Sequence, residues 1–243
     1  MKATRFEFRF RFFIIGLIFW LAFFWTGAIT GGHFGQLWIQ LSGWMSHADG
    51  LSNDANAMVL RVFVSALVIA AAWLRTWAAA YLHSSVVHDA NLHVDRVVAV
   101  GPFARMRNPL YLATLLLAIA MAFMNAPVPA LLLVLSMTVF LLRLTAREEG
   151  ELAAAQGESY LRYKAAVPRF WPFGRRSVQG ASVRAEWGQA LLGELWFWGF
   201  AAAVIAYAFT FNLLWFGRVF IVGLGLYLIM RAVMPRRAPV AHP

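Results

Sequence analysis

Six apolar stretches dominate this chain: Phe12–Thr30, Met58–Tyr81, Leu110–Met124, Pro129–Thr145, Gln189–Thr210 and Leu213–Met230. Runs of about 17–25 such residues are what an α-helix needs to cross the hydrocarbon core of a bilayer. Of the 243 residues 61% are hydrophobic and 13% charged, whereas a soluble domain carries roughly a quarter charged residues. The expected fold is therefore an all-α, polytopic integral membrane protein with about six transmembrane helices. The third and fourth stretches are short and joined only by Asn125-Ala126-Pro127-Val128, which predicts an antiparallel hairpin.

Charge placement gives an orientation. The first loop, Gly31–Ala57, has no Lys or Arg. Arg96, Arg105 and Arg107 fall in the second loop. Arg147, Arg162, Lys164, Arg169, Arg175, Arg176 and Arg184 follow the fourth stretch, and Arg231, Arg236 and Arg237 follow the last. With both termini cytoplasmic, only Arg61 and Arg218 fall toward the opposite side, as the positive-inside rule requires. The N-terminus, with Lys2, Arg5, Arg9 and Arg11 before an apolar run, has the outline of a signal peptide. Its run is too long and bulky for one, and no small-x-small cleavage site follows, so it reads as a retained first span. Arg61 and Arg75 read as snorkelling side chains, and Arg143 stands one helical turn before Arg147, on its face.

The net charge of +10 raises nucleic acid as a partner, but the basic residues cluster between apolar segments, so the reading is no nucleic acid. The absence of cysteine excludes disulfides, thiolate catalysis and cysteine-ligated metal. His83, His88 and His93 recur every five residues, which spreads them around a helix, so no metal site is expected and a polar connector is. His33 and His47 read as loop residues. Gly27, Gly31 and Gly35, spaced by four, offer a weak signal for close helix packing.

After the fourth stretch, Glu148 to Ala166 has helix formers, and Val167-Pro168-Arg169-Phe170-Trp171-Pro172 ends the helix because proline lacks the N–H donor. Phe170, Trp171 and Phe173 suit an interface, and Gly174 to Ser182 reads as a linker. Polar residues beside spans are costly, so those that persist are anchors or parts of a site. Two such blocks bracket the hairpin: Gly101-Pro102-Phe103-Ala104-Arg105-Met106-Arg107-Asn108-Pro109-Leu110-Tyr111 before it, and Arg147-Glu148-Glu149 after it.

These blocks carry a resemblance. The first resembles the Gly-Pro-Tyr-…-Arg-His-Pro-x-Tyr-x-Gly signature of the isoprenylcysteine carboxyl methyltransferase family and its phospholipid methyltransferase relatives. The second, with Gly157-Glu158-Ser159-Tyr160-Leu161-Arg162-Tyr163 and Val167-Pro168-Arg169, is similar to the family's Glu-Glu…Phe-Gly-x-x-Tyr-x-x-Tyr…Val-Pro block. The likeness spans roughly Asn91 to Phe173. It implies a membrane enzyme that uses S-adenosyl-L-methionine at the cytoplasmic face and a lipid-like or prenylated acceptor drawn from the lipid bilayer. It divides the chain into N-terminal helices (1–90), a methyltransferase-like core (91–173) and a linker with two further spans (174–243). The cofactor-binding residues it implies are His93, Arg107, Asn108, Pro109, Tyr111, Glu149, Tyr160 and Tyr163, with Arg147 and Glu148 as catalytic residues. Asn108 departs from the family histidine, Phe103 from a tyrosine and Ala113 from a glycine. Asparagine hydrogen-bonds but does not titrate near neutrality, so a general base at that position is disfavoured. The alternatives are a membrane reductase of the sterol-reductase type using NADPH, and a non-catalytic membrane scaffold.

Overall fold

A computed structural model describes residues 2–82, 99–170 and 184–233. Among them the regular structure is entirely helical. A short α1 (Arg5–Arg9) leads into α2 (Arg11–Thr30), then α3 (Gln36–Asp49) and α4 (Asn53–Leu82). After a 3-10 turn, Gly101–Ala104, come α5 (Pro109–Ala122), α6 (Pro127–Gln156) and α7 (Glu158–Ala166). The last described elements are α8 (Trp187–Gly193), α9 (Leu195–Thr210) and α10 (Leu213–Val233).

Four helices, α2, α4, α6 and α10, are long and apolar enough to cross a membrane, and the bent pair α8–α9 makes a fifth candidate span. The expectation was about six spans, the third and fourth of them short; the described residues hold four to five candidates. The third expected span is α5, whose 14 residues reach only about 21 Å at 1.5 Å per residue, short of a hydrocarbon core of about 30 Å. The fifth is broken at Glu194 by a 57° bend. The fourth continues through Thr145 as one uninterrupted helix to Gln156, carrying Arg147-Glu148-Glu149 on its extension. The first loop is no simple loop either, since α3 lies within it and takes His47.

Small residues let these helices approach. α4 packs on α5 and α9, with Val64, Val68, Ala71 and Ala72 facing Ala113, Leu117, Ala201 and Val204 in one buried cluster. Outward faces stay apolar: Phe13, Trp20 and Phe24 of α2 are exposed, as are Leu214, Ile221 and Val222 of α10, the surface a lipid-solvated bundle presents. Close helix contact comes from a different glycine pair than the sequence spacing implied. Gly31 caps α2 at φ 62° and Gly35 starts α3 at φ 81°, both left-handed turn positions. Instead Gly199 of α9 lies against Gly223 of α10, where an added Cβ on Gly223 would sit 2.6 Å from the Gly199 Cα.

Polar bonds fix both ends of the bundle. At one end Asn125, fully buried, accepts from Thr26 Oγ1 at 2.8 Å and donates to the Met121 carbonyl at 2.9 Å. The Gly35 N–H donates to the Met124 carbonyl at 2.7 Å, tying the entry to α3 to the α5–α6 turn. At the other end the N-terminal segment docks on α6. The Ala3 N–H donates to the Arg143 carbonyl at 3.0 Å, and Arg143 Nη2 donates to both Glu7 carboxylate oxygens at 2.9 and 2.7 Å. Thr4 and Glu7 form a capping box that starts α1. Arg75 does not snorkel: it is buried within α4 and paired with buried Glu194 at the α8–α9 break.

The basic residues of α1, of the α6 extension, of α7 and of the turn before α5 all lie at the N-terminal end of the bundle, while Arg61 and Arg218 lie at the other.

The Glu7 contact makes the docking pH-dependent. The Arg143 guanidinium, then the Thr4 N–H, hold the Glu7 carboxyl below its usual value. A depressed carboxyl contributes stability above its unfolded value, and that contribution is lost as pH falls through the lowered one. Proteolysis of the N-terminal segment should therefore be slow at neutral pH and accelerate only in the acid range below about 4.5, the ordinary value. Glu7→Gln should make it fast at both.

Candidate active site

The site grows from the helical geometry of α6. Adjacent residues on a helix point about 100° apart, so Glu148 and Glu149 face different neighbours. Glu149, 2% exposed, turns toward the segment after α7. There Arg169 grips it in a fork, Nε to Oε1 at 3.0 Å and Nη2 to Oε2 at 2.8 Å. Arg107 Nη2 lies 3.2 Å from Oε1 and Lys164 Nζ 3.7 Å from Oε2. Asn108 Nδ2 donates to Oε1 at 3.2 Å. One carboxylate thus meets three cations and an amide.

The backbone holds these groups in register. The Arg107 N–H donates to the Pro168 carbonyl at 2.9 Å and the Asn108 N–H to the Arg169 carbonyl at 3.1 Å. That short backbone pairing joins the two sequence blocks directly. Proline serves it twice: Pro168 ends α7, and Pro109 sits at the first position of α5, where its missing N–H costs nothing. Upstream, Gly101 takes φ +56°, and a Cβ there would collide with the Tyr81 ring. The Tyr163 hydroxyl donates to the Phe103 carbonyl at 2.8 Å, clasping α7 to the turn before Arg107. Arg107 Nη1 also donates to the Lys164 carbonyl, while its buried Nε has no hydrogen-bond partner.

Burial sets the protonation states around this hub. Tyr160 and Tyr163 are both pushed above the ordinary tyrosine range, by burial first and then by the charge of Glu149 on Tyr160 and by Tyr160 on Tyr163. Both are neutral phenols at physiological pH and cannot serve as bases. Arg169 is held protonated more firmly still by its hydrogen bonds to Glu149.

Glu148 points the other way. Its Oε1 accepts from the Tyr111 hydroxyl of α5, and the positive charge of Arg11, the buried first residue of α2, acts on the same pair. Arg147 turns to the N-terminal segment, donating from Nη1 to the Ala3 carbonyl at 3.2 Å and lying 5.5 Å over the Phe8 ring. The structure thus brings Arg107, Asn108, Pro109, Glu149, Tyr160 and Tyr163 together around one hub. Tyr111 and Glu148 stand on the adjoining face of the same hairpin, and Arg147 stands apart with α1. His93 lies outside the described residues. Among those described, no group of three His, Cys, Asp or Glu side chains could hold a metal.

Part of this stretch of chain matches a known family. Residues 59–157 match the phospholipid methyltransferase family. No curated protein and no solved structure matches the chain. The family is one of membrane methyltransferases, and the matched stretch contains the hairpin, Arg107, Asn108, Tyr111 and both glutamates, within a chain of membrane-spanning helices. Tyr160, Tyr163 and Arg169 lie just beyond it, as do α8–α10.

Three contributors were missing from the sequence-derived set: Arg169, Lys164 and Arg11. Arg169 was within reach, because an arginine directly after the helix-ending proline of a matched block is poised to fold back. Lys164 and Arg11 gave no local signal, since each acts across the chain.

Glu149→Gln keeps the shape but leaves three cations without their shared charge. Removing one partner of a buried ion pair costs about 3–5 kcal/mol. Thermal unfolding in detergent or nanodiscs should therefore show a large drop for Glu149→Gln and a small one for Glu151→Gln, whose i,i+4 partner Arg147 sits in partly exposed surroundings.

Proposed function

We propose that the chain is an S-adenosylmethionine-dependent methyltransferase that acts on a lipid-like or prenylated acceptor. The reading is carried by the excess of cations around Glu149. Arg107, Arg169 and Lys164 surround a single buried carboxylate, and the Arg107 Nε is buried with no acceptor. Such a cradle fits a ligand that brings a carboxylate to the arginines and an ammonium or ribose hydroxyls to Glu149. The amino-acid end and ribose of S-adenosylmethionine carry those groups. When bound, this cofactor supplies an electrophilic methyl group on a sulfonium.

The residues then divide the work. Arg107 and Arg169 orient the anionic end, Asn108 fixes the Glu149 carboxylate by hydrogen bonding rather than by acid–base chemistry, and neutral Tyr160 lines the wall. Methyl transfer is an in-line displacement that needs alignment more than covalent help. The Tyr111–Glu148 pair faces the acceptor. With Oε1 held by the Tyr111 hydroxyl, Glu148 Oε2 takes the proton if the acceptor is an amine; a carboxylate acceptor needs no base. An apolar acceptor reaches this face from the bilayer. The positive-inside rule puts the site, and both termini, on the cytoplasmic side.

Saturable S-adenosylmethionine binding to nanodisc-reconstituted protein is the expected result. Arg107→Ala should weaken it about tenfold or more, the cost of one charge-assisted fork, while Glu148→Gln should leave it within about twofold and abolish transfer of labelled methyl to an amine acceptor. Absence of binding to well-folded wild-type protein would remove the reading.

A further inference from the structure

The face of α6 that presents Glu148 is shared with the N-terminal segment. Met137, Leu141, Leu144 and Glu148 follow one another at spacings of four, three and four, so they form one stripe along the helix. The first three are buried in a single cluster with Ala3 and Phe8, and Tyr111, Ile14 and Ile15 pack against that cluster. α2 packs along the same helix. Residues 2–10 therefore dock beside the Tyr111–Glu148 pair, on the stripe that Glu148 continues.

Phe8 makes the closest contacts. It is buried, and two guanidiniums lie over its ring, the Arg11 carbon 4.4 Å and the Arg147 carbon 5.5 Å from the centroid. Arg11 Nη1 also donates to the Phe8 carbonyl at 3.1 Å. Arg147 immediately precedes Glu148, and the charge of Arg11 acts on both members of the pair. Phe8 is thus tied to the residues that adjoin the pair on α6 and on α2.

This docking is light compared with the Glu149 hub. Of residues 2–10 only Ala3 and Phe8 are buried. The ion pair that fastens the segment leaves Glu7 25% and Arg143 21% exposed, and pairs so exposed hold weakly. Phe10 closes α1 and opens α2 with no side-chain cap, and element ends of this kind are where hinges form. The outward face of α1 already suits a second resting place. Lys2, Arg5 and Arg9 are exposed, as are Phe6 and Phe10, whose rings lie 4.8 Å apart. Cations and aromatics together favour the headgroup layer of an anionic leaflet.

We propose that residues 2–10 are a hinged strap that closes the acceptor side of the candidate active site, with Phe8 as the closing group and the Glu7–Arg143 pair as the latch. A lipid-like acceptor then meets Tyr111 and Glu148 only after the strap leaves α6 for the membrane surface. This gating rests on the methyl-transfer reading of that pair. The chain has no cysteine, so one double variant, Ala3→Cys with Arg143→Cys, supplies both states. It removes the latch, and a short cleavable thiol cross-linker restores the closed position, because the two backbones are hydrogen-bonded there. In nanodiscs, transfer of labelled methyl from S-adenosylmethionine to phosphatidylethanolamine should fall to background in the bridged protein and return on cleavage. S-adenosylmethionine binding should be the same in both. Glu7→Gln should raise transfer by up to about fivefold, the bias of one partly exposed ion pair, and Arg5→Gln should leave it unchanged. Dicyclohexylcarbodiimide, an apolar carboxyl reagent, reads access without turnover. Peptide mass spectrometry should find Glu148 modified slowly in wild-type and bridged protein, and severalfold faster in Glu7→Gln and the cleaved variant. Equal modification in all four would overturn the proposal. So would transfer by the bridged protein as fast as by the cleaved one, or slower transfer by Glu7→Gln than by wild type. If wild-type protein binds no S-adenosylmethionine, the methyl-transfer reading fails by itself; in that case, or if it methylates none of this lipid, the modification rates alone decide whether the strap shields Glu148.

Discussion

A carboxylate buried where a membrane helix meets the polar interface must be answered by cations, and those that answer Glu149 come from parts of the chain far apart in sequence. Arg107 arrives before the hairpin, Lys164 and Arg169 after it. The desolvation of one acid therefore organises the whole hub. It requires α6 to run unbroken past the apolar region, α7 to fold back at Gly157, and the 168–169 segment to lie beside 107–108. The backbone bonds between those segments are made where the ion pairs also hold the chain together. Interactions of this kind are weak evidence for net stability, because solvation lost offsets attraction gained; their value lies in allowing one arrangement and few others.

The two neighbouring glutamates show how a helix separates functions that sequence places side by side. Glu149 is enclosed by positive charge, while Glu148 stands against a phenol and the start of α2. Identical side chains one residue apart thus have unlike surroundings, which is how carboxylates in one site take different roles. The N-terminal segment adds to this by fixing Arg143 and Arg147 of the same helix, so the helix that presents both acids is braced from its first residues onward.

Much of this was readable beforehand, for physical reasons that differ by element. Hydropathy over a whole span is a strong signal, so the all-helical membrane fold and the α5–α6 hairpin were legible. The paired motifs were legible because residue type and order were both unusual, and Arg107, Asn108 and Glu149 do meet. Helix ends were not legible: nothing in Arg147-Glu148-Glu149 stops a helix, and these residues are good helix formers, so α6 runs 11 residues beyond Thr145 to Gln156. The bend at Glu194 was hidden, as was the pairing of that residue with Arg75, a contact across the bundle. The α3 helix was hidden by a mixed composition that is neither membrane-like nor loop-like. Glycine spacing misled, since Gly31 and Gly35 serve turns while the contact that needs glycine joins Gly199 to Gly223.

The unbroken length of α6 has a mechanical consequence. From Pro127, beside the buried Asn125 turn, to Glu149 the helix is a rod of about 33 Å. A tilt of about 5° around that turn moves the far end by about 3 Å, as far as a hydrogen bond is long. The fork between Arg169 and Glu149 is therefore geared to the angle at which the rod crosses the bilayer. Helix tilt responds to hydrocarbon thickness, and in a helix of this length the carboxylate stands where a change of tilt would be felt most.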